Sequence, residues 1–164
     1  MKKVFVECKP DMELIKFIVA IRGLRVDLIH SSNKSKVLKN TLKNAGSVGI
    51  IDEDPRSPQP GFLRKFKEIR KDNDLMIRIY RGPNGSILIE LRPRLEEWLL
   101  RLCSFSGINP DKYGFPSDSG LFKKIINQKL GNFERLLDKL YRESQHFKRF
   151  HHLIVDLISQ GSPL

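Results

Sequence analysis

The chain opens with "KKVFVEC", a short run rich in β-branched and aromatic residues that predicts a strand. In "DMELIKFIVAIRG" the apolar positions Leu14, Ile18 and Ile21 recur at helical spacing. Asp11 is placed to cap the start of that helix and Gly23 to close its end. "RVDLIHS" predicts a second strand, and the polar, basic "SSNKSKVLKNTLKNAG" a helix that stops at Gly46. "SVGIID" is apolar almost without a break, the pattern of a strand buried on both faces. The next nine residues, "EDPRSPQPG", contain three prolines and read as a loop. "FLRKFKEIRKDN" then predicts a short basic helix, and "LMIRIY" and "SILIEL" flank "RGPNG" as a hairpin or tight connection. Four helical stretches complete the chain: "RLEEWLLRLCSF", "SGLFKKIINQKL", "NFERLLDKLYRES" and "FKRFHHLIVDLISQ".

Strand and helix alternate through the first half, which predicts an α/β fold with a mostly parallel sheet flanked by helices. The second half is helical and predicts an extension. We expect residues 1–106 to form the α/β core and residues 107–164 to pack on it within one compact unit. A length of 164 residues suits a single domain. No apolar run approaches the roughly 20 residues of a membrane span, and Glu7 and Lys9 interrupt any signal-like core near the start. The expected location is cytoplasmic. Cys8 and Cys103 lie far apart with no CxxC pair, so two reduced thiols are expected rather than a zinc site.

Charge changes the picture. The chain has 30 Lys and Arg against 19 Asp and Glu, a formal net charge of +11. Such an excess favours polyanionic partners, nucleic acid first among them, against the plainer reading of a solvated lysine-rich surface. A protein partner or a second copy of the chain stays open.

Against that background two acidic strand ends stand out. Glu7 ends the first predicted strand, and Asp52 ends the third with Asp54 two residues on. In an open parallel sheet, sites form at the carboxyl ends of strands. If these strands are neighbours, three carboxylates meet at one edge, and protons or a cation must offset their repulsion. Hard oxygen donors suit Mg2+ or Mn2+, either of which also binds phosphate. Glu53 points the other way along an extended chain and is expected to be a bystander. Taken singly, each motif has a plainer reading: a solvated or capping glutamate at residue 7, and a turn at "DEDP".

"VECKPD" together with "GIIDEDP" resembles the Toprim pattern, a glutamate after the first strand followed by a DxD at the end of a later one. The resemblance covers residues 3–100. It implies a compact α/β domain that binds magnesium and acts on phosphodiester bonds, as in small stand-alone Toprim proteins and the overcoming-lysogenization-defect nucleases. Glu7 then matches the glutamate, a candidate general acid or base, and Asp52 and Asp54 match the metal-holding pair. "LRPRLEEWLL" resembles a segment that opens a late helix in several Toprim-like nucleases, which makes Glu96 a further metal ligand and Arg92 or Arg94 a phosphate contact. Two positions depart from the pattern. Cys8 stands where a glycine commonly follows the glutamate, and Arg56, Ser57 and Pro58 replace a glycine past the DxD.

Lys9, Arg64 and Lys65 complete the candidate nucleic-acid contacts, with Lys67, Arg70 and Lys71 continuing the basic run. The plainer readings are a helix-dipole role for Glu96 and Glu97, and a solvated face for the basic run. Trp98, Leu99 and Leu102 are expected in the core, as are Phe147, Phe150, Leu153, Ile154 and Leu157. Three functional classes follow: a Mg2+-dependent nuclease, a non-catalytic module binding nucleic acid or a partner on the same scaffold, and a receiver-like signalling domain accepting phosphate on Asp52. No GxxxxGK[ST] loop is present.

Overall fold

A computed structural model describes residues 1–160; the last residues of the expected extension, 161–164, lie outside it. Three strands, β1 (Lys2–Val6), β2 (Val26–His30) and β3 (Val48–Asp52), are joined by helices α1 (Lys9–Ile21) and α2 (Lys34–Lys43). Beyond β3 come β4 (Lys67–Asp72), β5 (Ile77–Arg81) and β6 (Ile87–Leu91), then helices α3 (Leu95–Phe105), α4 (Ser119–Ile125), α5 (Leu130–Glu143) and α6 (Gln145–Ser159). The strands make one sheet in the order β2-β1-β3-β6-β5-β4.

The sheet is mixed rather than uniformly parallel. β2, β1, β3 and β6 run parallel, whereas β5 and β4 return antiparallel to their neighbours. The change of direction follows from connection length. Helical crossovers return the chain to the same end of the sheet, whereas the tight "GPNGS" turn between β5 and β6 leaves no room for a crossover. The predicted basic helix over Phe62–Asn73 is replaced by a 3-10 turn (Gly61–Lys65) and strand β4. Only Phe66 of the run 64–71 is buried, so no apolar stripe holds a helix there. The segment instead satisfies its backbone by pairing with β5, with a bulge between Glu68 and Arg70.

The two faces of the sheet are filled differently. Val4, Val6, Val48, Ile50, Ile79 and Ile89 face a large core with α1, α3, α5 and α6, where Trp98, Leu99 and Leu102 are wholly buried. Trp98 donates its indole N–H to the Leu75 carbonyl at 2.8 Å and packs against Phe150 with ring centroids 4.5 Å apart. Phe5, Ile51, Leu88 and Tyr80 face the other way, against Val37 and Leu38 of α2. Gly49 lets α2 approach: a Cβ there would stand 2.6 Å from the Thr41 hydroxyl and 2.8 Å from Leu88 Cδ2. Phe147, Phe150 and Ile154 are buried as the helical spacing of α6 predicts, with Leu153 and Leu157 partly so. Among the described residues no helix is long and apolar enough to cross a membrane.

Candidate functional site: an acidic cleft at the carboxyl edge of the sheet

β1 and β3 are hydrogen-bonded neighbours, so Glu7 and Asp52 emerge side by side. The Asp52 backbone N–H donates to Glu7 Oε2 at 3.0 Å. The β6–α3 connection passes beside them, and the Leu95 N–H donates to Asp52 Oδ1 at 3.1 Å. That contact sets α3 so that Glu96, in its first turn, is buried at 7% exposure rather than solvated.

α1 brings a fourth carboxylate. Cys8, not Asp11, is the N-cap of α1. Asp11 sits three positions later, and its Oδ2 accepts from the Cys8 N–H (3.3 Å) and thiol (3.1 Å). Its other oxygen, Oδ1, is buried with no hydrogen-bond partner. At 2% exposure Asp11 is the most deeply buried acid of the group.

Glu7, Asp11, Asp52 and Glu96 all have carboxyls held above their ordinary values, and burial is the leading cause in each. Mutual repulsion adds to it: Asp11, Glu7 and Glu96 all act on Asp52. Among the described residues no cationic side chain forms an ion pair with any of the four. Asp54 differs. Hydrogen bonding from Ser57, then from Arg94, holds its carboxyl below the ordinary value. Arg94 Nε and Nη2 both donate to Asp54 Oδ1, at 3.1 and 3.0 Å, while Nη1 donates to Glu97. Asp54 also has a left-handed backbone, φ 46°, which aspartate tolerates better than most residues.

Glu7, Asp52 and Asp54 line a cleft of about 420 Å3, and Asp11 lies buried behind them. Its walls are the start of α2 (Asn33, Lys34, Ser35), the proline-rich loop 57–60, Arg94 and Lys123 of α4. A second hollow of about 290 Å3 adjoins it, sharing Asp54, Ser57, Arg94 and Lys123 and adding Glu96, Glu97 and Ser119. Lys34 braces the loop, donating to the Glu53 carbonyl (3.0 Å) and to Gln59 Oε1 (2.7 Å).

The sequence-predicted residues therefore divide. Glu7, Asp52, Asp54, Glu96 and Arg94 come together around the cleft. Arg92 is turned elsewhere: its Nε donates to Glu53 Oε2 at 3.0 Å, in a network with Arg78, Glu90 and Tyr80. Glu53 lines neither hollow and pairs with Arg92 and Arg78. Lys9, Arg64 and Lys65 are exposed and line neither hollow. His30 is exposed at the end of β2. Asp11, Lys34 and Lys123 were not singled out as site residues. The one-turn spacing from Glu7 to Asp11 across a strand–helix junction is the signal that points to Asp11, but it equally describes a helix cap.

The donor chemistry fits a hard divalent cation: clustered carboxylate oxygens, one of them an orphaned buried atom. Among the described residues, however, no three His, Cys, Asp or Glu groups are arranged to hold a metal ion. Backbone N–H groups engage one oxygen each of Glu7 and Asp52, leaving the second oxygens free. Comparison with family models, curated proteins and solved structures found no match.

Proposed function

We propose that this chain acts on nucleic-acid phosphodiester bonds with a divalent metal, most simply as a Toprim-like nuclease. One observation carries the reading: Glu7 and Asp52, half-buried and repelled by the buried Asp11 and Glu96, line a cleft that Lys34, Arg94 and Lys123 line as well. A divalent cation relieves the repulsion that protons must otherwise quench. Asp52, Asp54 and Glu96 are the residues that would hold Mg2+ or Mn2+, with Asp11 Oδ1 as a further donor. Bound there, the ion would polarise a phosphoryl oxygen and acidify a water.

The chain's own groups do the rest. Glu7 is fixed by the Asp52 N–H, and burial raises its carboxyl toward the range useful for moving a proton at the reacting oxygen. Lys34 and Arg94 stand where phosphate oxygens would meet them. Arg94 occupies Oδ1 of Asp54, and Ser57 bonds the same carboxyl.

The test is incubation with single- and double-stranded DNA and RNA in Mg2+ or Mn2+. Cleavage is expected, with a loss of roughly 100-fold or more in Asp52→Asn and Glu7→Gln. Cleavage unchanged in both variants would sink this site. A second reading, a binding module without turnover, is favoured by the Arg94–Asp54 pair, since one expected ligand already has its counter-charge. Polynucleotide binding that persists in EDTA, with no turnover in either metal, would select it.

A further inference from the structure

The helical extension enters the cleft at one point. Among the described residues Lys123 is its only residue in the larger hollow, and it lines the smaller one as well. α4 is too short to be held by its own hydrogen bonds, so packing fixes it. Phe122 is wholly buried and stacks on Phe115 with ring centroids 4.7 Å apart, and Ile126 is buried one turn later. Asp118 caps the start by accepting the Leu121 N–H at 2.9 Å. With Phe122 locked inward, the neighbouring Lys123 projects about 100° round the helix and lines the hollows that hold the acids. Its positive charge acts on Glu7, Asp54 and Glu96. Yet Lys123 is exposed and makes no hydrogen bond or ion pair among the described residues.

Lys34, at the first position of α2, lines the larger hollow too, as does Arg94. Together the three cations offer a seat for one anionic group beside Glu7, Asp52 and Asp54. The acids that line it, Glu7, Asp52 and Asp54, are half-buried. The walls beside it are α2, α4 and a loop stiffened by Pro58 and Pro60. Between such walls a single strand can enter with its bases turned aside, a freedom that base pairing denies a duplex.

We propose that the cleft seats a single polynucleotide strand, one phosphate lying between Lys34 and Lys123, so that the helical extension supplies half of the binding site. This rests on the nucleic-acid reading above and narrows its substrate class. The charge is placed by tertiary structure alone, since Lys123 lies 71 positions after Asp52 in the chain.

The experiment is fluorescence anisotropy with a labelled 12-mer single strand and a blunt, closed hairpin duplex, in Ca2+ to hold turnover back, across a salt series. Lys123→Gln and Lys124→Gln are compared with the parent. Lys124 is exposed on the same helix and lines neither hollow, so it controls for helix integrity and general charge. The expected result is preference for the single strand, with the salt slope reduced by about 0.7 in Lys123→Gln and less in Lys124→Gln. Equal slopes in the two variants, or equal binding of duplex and strand, overturns the inference. Metal-dependent cleavage of the closed duplex as fast as the single strand also overturns it while leaving the nuclease reading intact. Absence of binding to any polynucleotide removes both.

Discussion

Asp52 shows what a buried charge does to a fold that holds no counter-ion beside it. Burial, and then its acidic neighbours, keep its carboxyl above the ordinary 3.8. As pH climbs, the unfolded chain releases that proton first. The stability associated with the group is therefore full below its ordinary value and is lost on the way up to the raised one. Asp52→Asn removes the group from this balance. In EDTA the variant should match its parent near pH 4 and exceed it by on the order of 1 kcal/mol or more at pH 8, measured by urea denaturation. An equal difference at both pH values would contradict the raised carboxyl. Trp98 makes a cleaner case, because it is wholly buried and its N–H is satisfied. Trp98→Ala should cost about 3–5 kcal/mol in the same assay. The acids at strand ends were legible in the sequence because a strand end is a local feature. Asp11 was legible only as a cap, since its role depends on which acids α1 and α3 set beside it.

At the scale of elements, α2 against the sheet is the tightest junction. Gly49→Ala would drive a methyl into Thr41, Leu88 and Val37, at 2.6, 2.8 and 3.0 Å, with little room to yield. We expect a loss of about 1–3 kcal/mol. Displacing α2 also moves Lys34, so metal-free binding of a single strand should weaken in parallel, which anisotropy would register. β4 is the element the sequence pattern misassigned. Lys67, Glu68, Ile69, Arg70 and Lys71 are all exposed, so neither the helical nor the strand period is written there. Exposed lysines and a bulge are common on strands at a sheet edge, where they discourage pairing between molecules. Nothing local distinguishes such a strand from a polar helix; the partner strand β5 makes the choice.

At the scale of the whole molecule, His151 of α6 is buried at 1% exposure where α6 meets α1 and α5. The groups facing it are the Tyr141 ring at 4.9 Å, the Ile18 backbone, His152 and Arg22. Burial first, then the neighbouring His152 and Arg22, lower its tendency to take a proton. A histidine so placed contributes stability that is full above its ordinary 6.5 and is lost as pH falls below it, because the unfolded chain binds the proton first. The acidic cluster changes stability in the opposite direction over the same range, so the test is a difference. The melting temperature of His151→Phe should fall less than that of the parent between pH 7.5 and 5.5. A parallel fall in both would show that the ring does not titrate on unfolding.

By itself the sequence determined which segments are apolar enough to form the central strands and the core-facing helices, and that acids end β1 and β3, because burial patterns and strand ends are written in neighbouring residues. Only tertiary structure decided that residues 67–72 form the edge strand β4, the pairing of Arg92 with Glu53 outside the cleft, and the arrival of Asp11, Lys34 and Lys123 near Glu7 and Asp52. Those outcomes depend on distances between residues far apart in the chain. Such distances are set by which buried faces can pack together, and no local period records them.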